Sequence, residues 1–206
     1  MMCASASKDR CVLTIGHSNY EAPVFIELLR QHGIEVVADV RSQPYATYAT
    51  HFSAPEIEQL LTRAGIRYVF LGGQLGGRPE GPEFYDGEGY VLYDRLAASS
   101  SFREGIARLE RGIERYRVAI LCSEENPAEC HRNLLVGRVL AGRGIQVRHI
   151  RGDGRLQSQE ELEGETRGDA PGQQYLFDDL QDAEDRPWKS TRSVLREPPP
   201  LSSSGD

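Results

Sequence analysis

The sequence predicts an α/β fold in which a mostly parallel sheet of about five strands carries helices on both faces. Short β-branched runs alternate with longer amphipathic runs through residues 11–155. The run VAILC, which begins at Val118, is apolar without alternation, as in a central strand buried on both faces. We expect right-handed crossovers through the helices to connect the parallel strands.

The individual elements follow from local patterns. The predicted strands are 11–19, 34–42, 66–73, 118–125 and 145–154. The predicted helices are 23–33, 53–65, 90–98, 101–115 and 126–144. In the last of these helices Asn126 is the expected cap, Pro127 takes the first helical position and Glu129 completes a capping box.

Composition divides the chain into three parts. Residues 1–10 are predicted to be a flexible N-terminus, residues 11–155 a single α/β domain, and residues 156–206 a disordered tail that is polar, acidic and rich in glycine. Basic and acidic residues balance within 1–155, so the tail carries the whole net charge of −7. The overall acidity therefore does not oppose anion binding by the domain.

Several classes of protein are excluded. No run of about 18 apolar residues occurs, so no membrane span or membrane partner is predicted. The N-terminal segment lacks the apolar core of a secretory signal, and we expect a cytoplasmic protein with its four cysteines reduced. Neither a G-x-G-x-x-G nor a G-x-x-x-x-G-K-[ST] loop is present, which excludes nucleotide binding by those two mechanisms.

Polar residues collect where the predicted strands end. In an open parallel sheet, ligands bind beyond the carboxyl ends of the strands. The residues at these ends are GHSN from Gly16, DVRS from Asp39, Arg78 in a glycine-rich loop, Cys122 with Glu124, then Cys130, His131 and Arg132 at the next helix, and His149, Arg151 and Asp153 at the fifth strand. The sequence therefore predicts a functional site at this edge.

Each candidate residue has a functional and a structural interpretation. The predicted catalytic residues are Asp39, Glu124, Cys122, His131 and His17. The predicted substrate-binding residues are Arg41, Arg132, Ser18, Cys130 and Arg78. Arginines bind phosphates and carboxylates bidentately, and carboxylates serve in acid–base catalysis. In the structural alternative, Asp39 orders the turn after its strand, Arg41 pairs with it, and His17 only supports the site.

The segment CSEENPAECHR, residues 122–132, admits four interpretations. Arg41, Arg132 and the helix N-terminus could hold an anionic group of a substrate, with Glu124 or Asp39 as acid or base. Cys122 could be a nucleophile or form a disulfide with Cys130. Zinc bound by both cysteines and His131 is the third interpretation, and a purely structural set of caps is the fourth. A short C-x-x-C pair is absent, and we predict no metal and no cofactor.

Four segments in order resemble one family. TIGHSN (14–19), ADVRSQP (38–44), LGGQLGGRP (71–79) and the pattern C-x-E-x-x-x-x-x-C-H-R from Cys122 are similar to the domain-of-unknown-function family 488, uncharacterised bacterial α/β proteins. The resemblance covers residues 11 to about 155 and implies a three-layer α/β domain without implying an activity. The matching motif residues are His17, Ser18, Asp39, Arg41, Cys122, Glu124, Cys130, His131 and Arg132. One departure lies near Thr47, which is neutral where the family pattern often has a basic residue. A substrate contact through a basic side chain in that loop is therefore not implied for this chain.

One segment of the predicted tail, GQQYLFDDL (172–180), has a pattern of its own. Gln173, Leu176 and Phe177 fit the Q-x-x-L-F pattern of peptides by which bacterial repair and replication proteins bind the sliding clamp. Such a peptide would direct the domain to DNA. The alternative is that Leu176 and Phe177 dock on the domain itself.

Three functional hypotheses follow. The leading prediction is an enzyme that acts on an anionic nucleotide or nucleic-acid substrate, linked to DNA repair if the clamp peptide is used. The alternative is a non-catalytic DNA- or ligand-binding adaptor recruited through the tail peptide. A thiol-redox or zinc-binding protein is the third hypothesis.

Overall fold

The computed structural model describes residues 10–45, 49–167 and 187–195. Its strands are β1 (Cys11–Gly16), β2 (Val36–Asp39), β3 (Arg67–Phe70), β4 (Val118–Cys122), β5 (Gln146–Ile150) and β6 (Leu156–Ser158). They form one sheet with the order β3-β2-β4-β1-β5-β6. The first five strands are parallel and β6 is antiparallel to β5. The predicted α/β class with a mostly parallel sheet is confirmed, and β6 is an additional edge strand.

Helices cover both faces of the sheet. They are α1 (Ala22–Gln31), α2 (Ala54–Arg63), α3 (Gly72–Leu75), α4 (Tyr93–Ala98), α5 (Ser100–Ile113), α6 (Arg138–Ala141) and α7 (Gln159–Arg167). Helices α1 and α2 pack against one face, and helices α3 to α6 pack against the other. No helix in the described ranges is both long and apolar enough to cross a membrane.

The central position of β4 explains its unbroken apolar run. All five residues of β4 are buried, with neighbours β2 and β1 on either side. Ile120 contributes to the core under α5, whereas Ala119 and Leu121 contribute to the core under α1 and α2. Because helices cover both faces, a strand that alternated apolar and polar residues would bury the polar ones, and β4 contains only apolar residues.

The predicted helix 126–144 is interrupted, which corrects the sequence-based assignment. Asn126 caps only a 3₁₀ turn, Pro127–Glu129, by accepting a hydrogen bond from the amide of Ala128 at 3.1 Å. Cys130 is then extended, with φ −102° and ψ 136°. A π-helical segment, Arg132–Gly137, begins after this break and continues into α6. In a continuous helix two adjacent side chains point about 100° apart, and the break removes that constraint from Cys130 and His131.

The fold continues past residue 155, where the sequence predicts the domain to end. Strand β6 pairs with β5, and α7 buries Leu162. Residues 187–195 also pack on the domain, because the indole of Trp188 donates to the carbonyl of Leu134 at 2.8 Å. Three features of the sequence lie outside the described residues: residues 1–9 of the predicted flexible N-terminus (1–10), Thr47, and the clamp-like peptide at Gln173, Leu176 and Phe177.

Candidate active site

A pocket of about 320 Å³ opens at the carboxyl ends of β2 and β4. These two strands are neighbours in the sheet, so the residues that follow them meet at one edge. The lining includes Arg41, Ser42, Arg78, Tyr93, Cys122, Glu124, Cys130, His131 and residues 190–194. Six of the ten residues predicted from the sequence therefore line one cavity: Arg41, Arg78, Cys122, Glu124, Cys130 and His131.

Four of these side chains, which we call the thiol cluster, converge at the pocket: Cys122, Glu124, Cys130 and His131. The Sγ atoms of Cys122 and Cys130 and the Nδ1 atom of His131 all lie within 4.8 Å of one another. His131 Nδ1 is 3.6 Å from Cys122 Sγ. The Oε2 atom of Glu124 lies 3.1 Å from Cys122 Sγ and 3.2 Å from Cys130 Sγ. Two sulfur atoms and one imidazole nitrogen are ligands that a transition metal can use.

Close backbone approaches fix this geometry. The Nε2 atom of His131 donates to the carbonyl of Val40 at 3.0 Å, because a carbonyl can only accept, and Nδ1 therefore points to the sulfur atoms. A Cβ atom at Gly77 would lie 2.6 Å from Cγ of His131. A Cβ atom at Gly16 would overlap the carbonyl oxygen of Glu124 at 1.7 Å. The glycine at each position lets the neighbouring segment approach.

The two thiols of the cluster have different pKa values. A hydrogen bond with Cys130, and then burial, raise the pKa of Cys122 well above its usual value. Burial opposes ionisation of Cys130 as well, but hydrogen bonds with Cys122 and His131 and the charge of Arg132 lower its pKa to about 5. Cys130 is therefore the thiol of the pair that ionises more readily, and a thiolate is the reactive form.

The pKa values of the other two members of the cluster are shifted toward their charged forms. Burial opposes the charge of Glu124, yet hydrogen bonds from Cys122, its own backbone amide and Cys130 lower its pKa to about 2. Burial likewise opposes protonation of His131, but the hydrogen bond and charge of Cys130 raise its pKa. Glu124 is thus a carboxylate at neutral pH, and the neighbours of His131 favour its protonated form.

Arg132 lies behind the pocket and holds the loop that follows β4. Its side chain is 0% exposed. The guanidinium donates to the carbonyl of Glu124, to the carbonyl of Glu125 at 2.6 Å and to the hydroxyl of Thr14 at 3.3 Å. These contacts give Arg132 a positioning role, in contrast to the substrate contact predicted from the sequence.

Asp39 and Arg41 form a buried ion pair. The Arg41 guanidinium donates to both carboxylate oxygens of Asp39, with a shortest distance of 2.6 Å. The hydroxyl of Tyr68 donates to Oδ2 of Asp39 at 2.8 Å, and burial first and this carboxylate second raise the pKa of Tyr68. Asp39 is fully buried, so the geometry favours its structural interpretation, whereas Arg41 reaches the pocket.

His17 and Ser18 support the site from outside the pocket lining. Nε2 of His17 accepts from Arg41 at 3.1 Å, and Nδ1 donates to the carbonyl of Ser18 at 2.7 Å. Burial lowers the pKa of His17 to about 4, so the ring is neutral at neutral pH. Ser18 adopts a left-handed backbone with φ 45°, and its amide bonds to the carbonyl of Ser123 at 2.9 Å. Both residues order the turn between β1 and the loop after β4.

The motif residues of the site lie largely within one family profile. The profile of a family described as Domain of unknown function DUF488 matches residues 21–139, more than half of the chain. The chain belongs to this family. Comparison with curated proteins and with solved structures found no match. The matched range contains the whole thiol cluster, Asp39 and Arg41, whereas His17 and Ser18 precede it.

One wall of the pocket lies outside the DUF488 range and was missed from the sequence. Residues 190–194 line the pocket, and their backbone bonds to residues before α4: the amide of Ser190 donates to Val91 and the amide of Val194 to Gly89, both at 2.9 Å. The sequence feature that could have predicted this segment is Trp188, the only tryptophan of the chain, which lies in a region of polar composition. A large aromatic side chain there indicates a packed segment.

Proposed function

We propose that this chain is an enzyme that acts on an anionic substrate of the nucleotide or nucleic-acid class, bound in the pocket beside the thiol cluster. The observation that carries the proposal is the convergence of reactive and cationic side chains on one cavity. Two thiols, an imidazole and a carboxylate lie at its floor. Arg41, Arg78 and Arg192 stand around them.

Among the three arginines, Arg78 is the main candidate for contact with an anion. Asp39 neutralises Arg41, and Glu129 pairs with Arg192 at 2.9 Å. Arg78 is exposed and forms no ion pair with the described residues. Its amide donates to the hydroxyl of Ser42 at 2.9 Å, which fixes the loop at the pocket. The guanidinium of an arginine on this loop can bind a phosphate through two parallel hydrogen bonds.

An aromatic side chain at the pocket supports a substrate with a base. Tyr45 lines the pocket and is 76% exposed, so its ring has a face available for stacking. Stacking of a base on an aromatic side chain contributes about 1–3 kcal/mol and tolerates any base. The pocket volume of about 320 Å³ lies at the lower end of the range for small-molecule sites. A single nucleotide or one nucleotide of a strand suits these dimensions.

Ligand binding and turnover test the proposal together. We would screen nucleotides, sugar phosphates and short oligonucleotides by thermal shift on wild type, Arg78→Ala and the matched control Arg63→Ala, an exposed arginine at the end of α2. A ligand at about 100 times its Kd stabilises the folded state by about 2.7 kcal/mol. We expect a shift that Arg78→Ala loses and Arg63→Ala keeps, and chromatography of the incubated ligand should then show a product. Absence of a shift with every phosphate compound, or an equal loss in both variants, contradicts the proposal.

Thiol–disulfide exchange is a second candidate function, favoured by the Cys130 thiolate beside the Cys122 thiol. In that case Cys130 as a thiolate would attack an external disulfide and release one half of it as a thiol. Cys122 would then attack the mixed disulfide, release the other half as a thiol and leave a Cys122–Cys130 disulfide. Oxidised glutathione followed by peptide mass spectrometry tests it. A Cys122–Cys130 disulfide formed faster than modification of Cys11 supports exchange, and modification of Cys11 alone opposes it.

The adaptor hypothesis and the link to DNA repair depend on the clamp-like peptide and stay predictions. A ligand that binds but is never converted to a product would favour the adaptor over the enzyme. Clamp binding that is unchanged when Leu176 and Phe177 are both replaced by alanine would remove the reason for this link.

A further inference from the structure

We infer that Cys122, Cys130 and His131 bind one divalent transition metal of the zinc class at the floor of the pocket, with a coordination position open to the substrate. Nothing in the family assignment specifies a metal. The metal site stands on its own geometry, whereas its catalytic use rests on the proposed function.

The distances suit one tetrahedral ion. With metal–sulfur bonds of about 2.3 Å and metal–nitrogen bonds of about 2.0–2.1 Å, tetrahedral angles place a sulfur and a nitrogen ligand about 3.6 Å apart. The distance between Cys122 Sγ and His131 Nδ1 is 3.6 Å. Cys130 Sγ lies within 4.8 Å of both atoms. Three ligand atoms this close together can bind one ion.

The environment of His131 is that of a metal ligand. A histidine that binds a metal through one ring nitrogen usually donates the other N–H to a carbonyl or carboxylate, which fixes its tautomer and orientation. His131 donates Nε2–H to the carbonyl of Val40 at 3.0 Å and turns Nδ1 to the two sulfur atoms. The loop at Gly77 packs against the ring and holds it in this position.

Charge also favours a cation at this point. Cys122, Cys130 and Glu124 can each carry a negative charge, and the carboxylate lies within hydrogen-bond distance of both sulfur atoms. In the described part of the chain three of the guanidinium groups around the cluster have other partners: Arg132 donates to backbone carbonyls and Thr14, Arg41 pairs with Asp39, and Arg192 pairs with Glu129. A divalent ion balances the charges of the two thiolates, and the imidazole adds a neutral ligand.

Two cysteines, one histidine and an open position form a ligand set known from catalytic zinc sites. The metal would bind a water molecule at the open position and lower its pKa. Glu124 would take the proton from this water, and the resulting hydroxide would attack the electrophilic atom of the substrate. The bond to the leaving group would break, and Glu124 would return the proton to that group. The net reaction is hydrolysis, without an oxidant or reductant.

Cobalt substitution tests the site directly. The full chain is reduced, freed of metal with a chelator and titrated with Co²⁺, whose bonds to thiolates give a charge-transfer absorption and whose tetrahedral complexes absorb strongly in the visible. We expect one equivalent of Co²⁺ to bind with both bands and one equivalent of Zn²⁺ to displace it. In Cys122→Ser, Cys130→Ser and His131→Gln the affinity should fall by more than about 100-fold. The control Cys11→Ser, altered at the start of β1, should titrate as wild type.

Reduced wild type that takes up no Co²⁺ or Zn²⁺ overturns the inference, whether or not the variants fold. Thiolate bands in Cys122→Ser and Cys130→Ser that are as strong as in wild type overturn it as well, because the ion would then lie elsewhere. The proposed function is tested separately by the phosphate-ligand screen on Arg78→Ala. Metal binding without ligand binding supports the metal site and contradicts the proposed function. Ligand binding without metal binding supports the proposed function and contradicts the metal site.

Discussion

His131 connects the end of β4 to the end of β2 through the two nitrogens of one ring. Nδ1 lies 3.6 Å from Sγ of Cys122, the last residue of β4, and Nε2 bonds at 3.0 Å to the carbonyl of Val40, directly after β2. Because β2 and β4 are adjacent parallel strands, this connection needs no long loop. The position of the thiol cluster is therefore a consequence of the strand order.

Replacing Gly77 tests whether the ring position matters. The Cβ atom of Gly77→Ala would lie 2.6 Å from Cγ and 2.9 Å from Nδ1 of His131, so the ring must move. We expect metal affinity to fall by about 10–100-fold, as for other changes next to a metal ligand. Gly73→Ala is the matched control, since nothing lies within 4 Å of a Cβ atom there. Equal Co²⁺ affinities for the two variants would contradict the assigned role of the ring.

The buried pair of Asp39 and Arg41 should be a major contributor to stability. Asp39→Asn leaves the buried Arg41 guanidinium without its counter-charge, and we expect the free energy of unfolding in urea to fall by about 3–5 kcal/mol. Glu58→Gln, a change of an exposed acid on α2, should alter it by less than about 0.5 kcal/mol. A cost below about 1 kcal/mol for Asp39→Asn would show that the pair is unimportant. Lost activity in this variant would report on Arg41 and not on catalysis by Asp39.

His149 should make the protein acid-sensitive. Its ring is 0% exposed, and burial first, with the charges of Arg132 and Arg151, lowers its pKa from 6.5 to about 4 despite a hydrogen bond with Gln159. Between these values the unfolded chain binds more protons than the folded one, so stability falls as the pH falls. The free energy of unfolding therefore loses up to about 3 kcal/mol as the pH falls from about 6.5 to 4, and this loss is absent above about pH 6.5.

The matched variant for this effect is His149→Gln, which has no proton to gain. We expect the difference in unfolding free energy between pH 7 and pH 4.5 to be smaller in the variant than in wild type. Its Oε1 atom can still accept from the hydroxyl of Thr14, which bonds to Nδ1 of His149 at 2.8 Å in the wild type. Parallel pH profiles for the two proteins would assign the acid sensitivity to other groups.

Trp188 should anchor the segment that forms one wall of the pocket. Its indole donates to Leu134, its ring lies 6.1 Å from the ring of Tyr93, and the Arg138 guanidinium stacks over it at 4.7 Å. For Trp188→Ala we expect a loss of about 1–3 kcal/mol in stability, faster proteolysis within 187–195, and weaker binding of any pocket ligand. Trp188→Phe, which keeps a ring but loses the hydrogen bond, should lie between. Unchanged ligand binding in Trp188→Ala would show that residues 187–195 do not contribute to binding in the pocket.

Much of the sheet could be predicted because the signals are local. The apolar run at β4 and the amphipathic helices α1 and α2 each carry their own pattern, and parallel strands place their carboxyl ends at one edge. This is why Cys122, Glu124, Cys130 and His131 could be assigned to one site before their distances were known.

Contacts between distant parts of the chain could not be predicted in this way. Arg132 was assigned to a substrate because arginine binds anions, yet the loop after β4 needs donors for its carbonyls, and the side chain turns inward. The sequence from Asn126 has the pattern of a helix start, and nothing local shows that the helix begins again after Cys130. The packing of Trp188 against Leu134 joins residues far apart in a region of polar composition.

The most direct test of the thiol cluster as one chemical centre is X-ray absorption at the zinc edge of the reduced, zinc-loaded full chain. We predict two sulfur atoms at about 2.3 Å and nitrogen or oxygen atoms at about 2.0–2.1 Å around the metal. A shell of nitrogen and oxygen alone would contradict a centre formed by Cys122, Cys130 and His131.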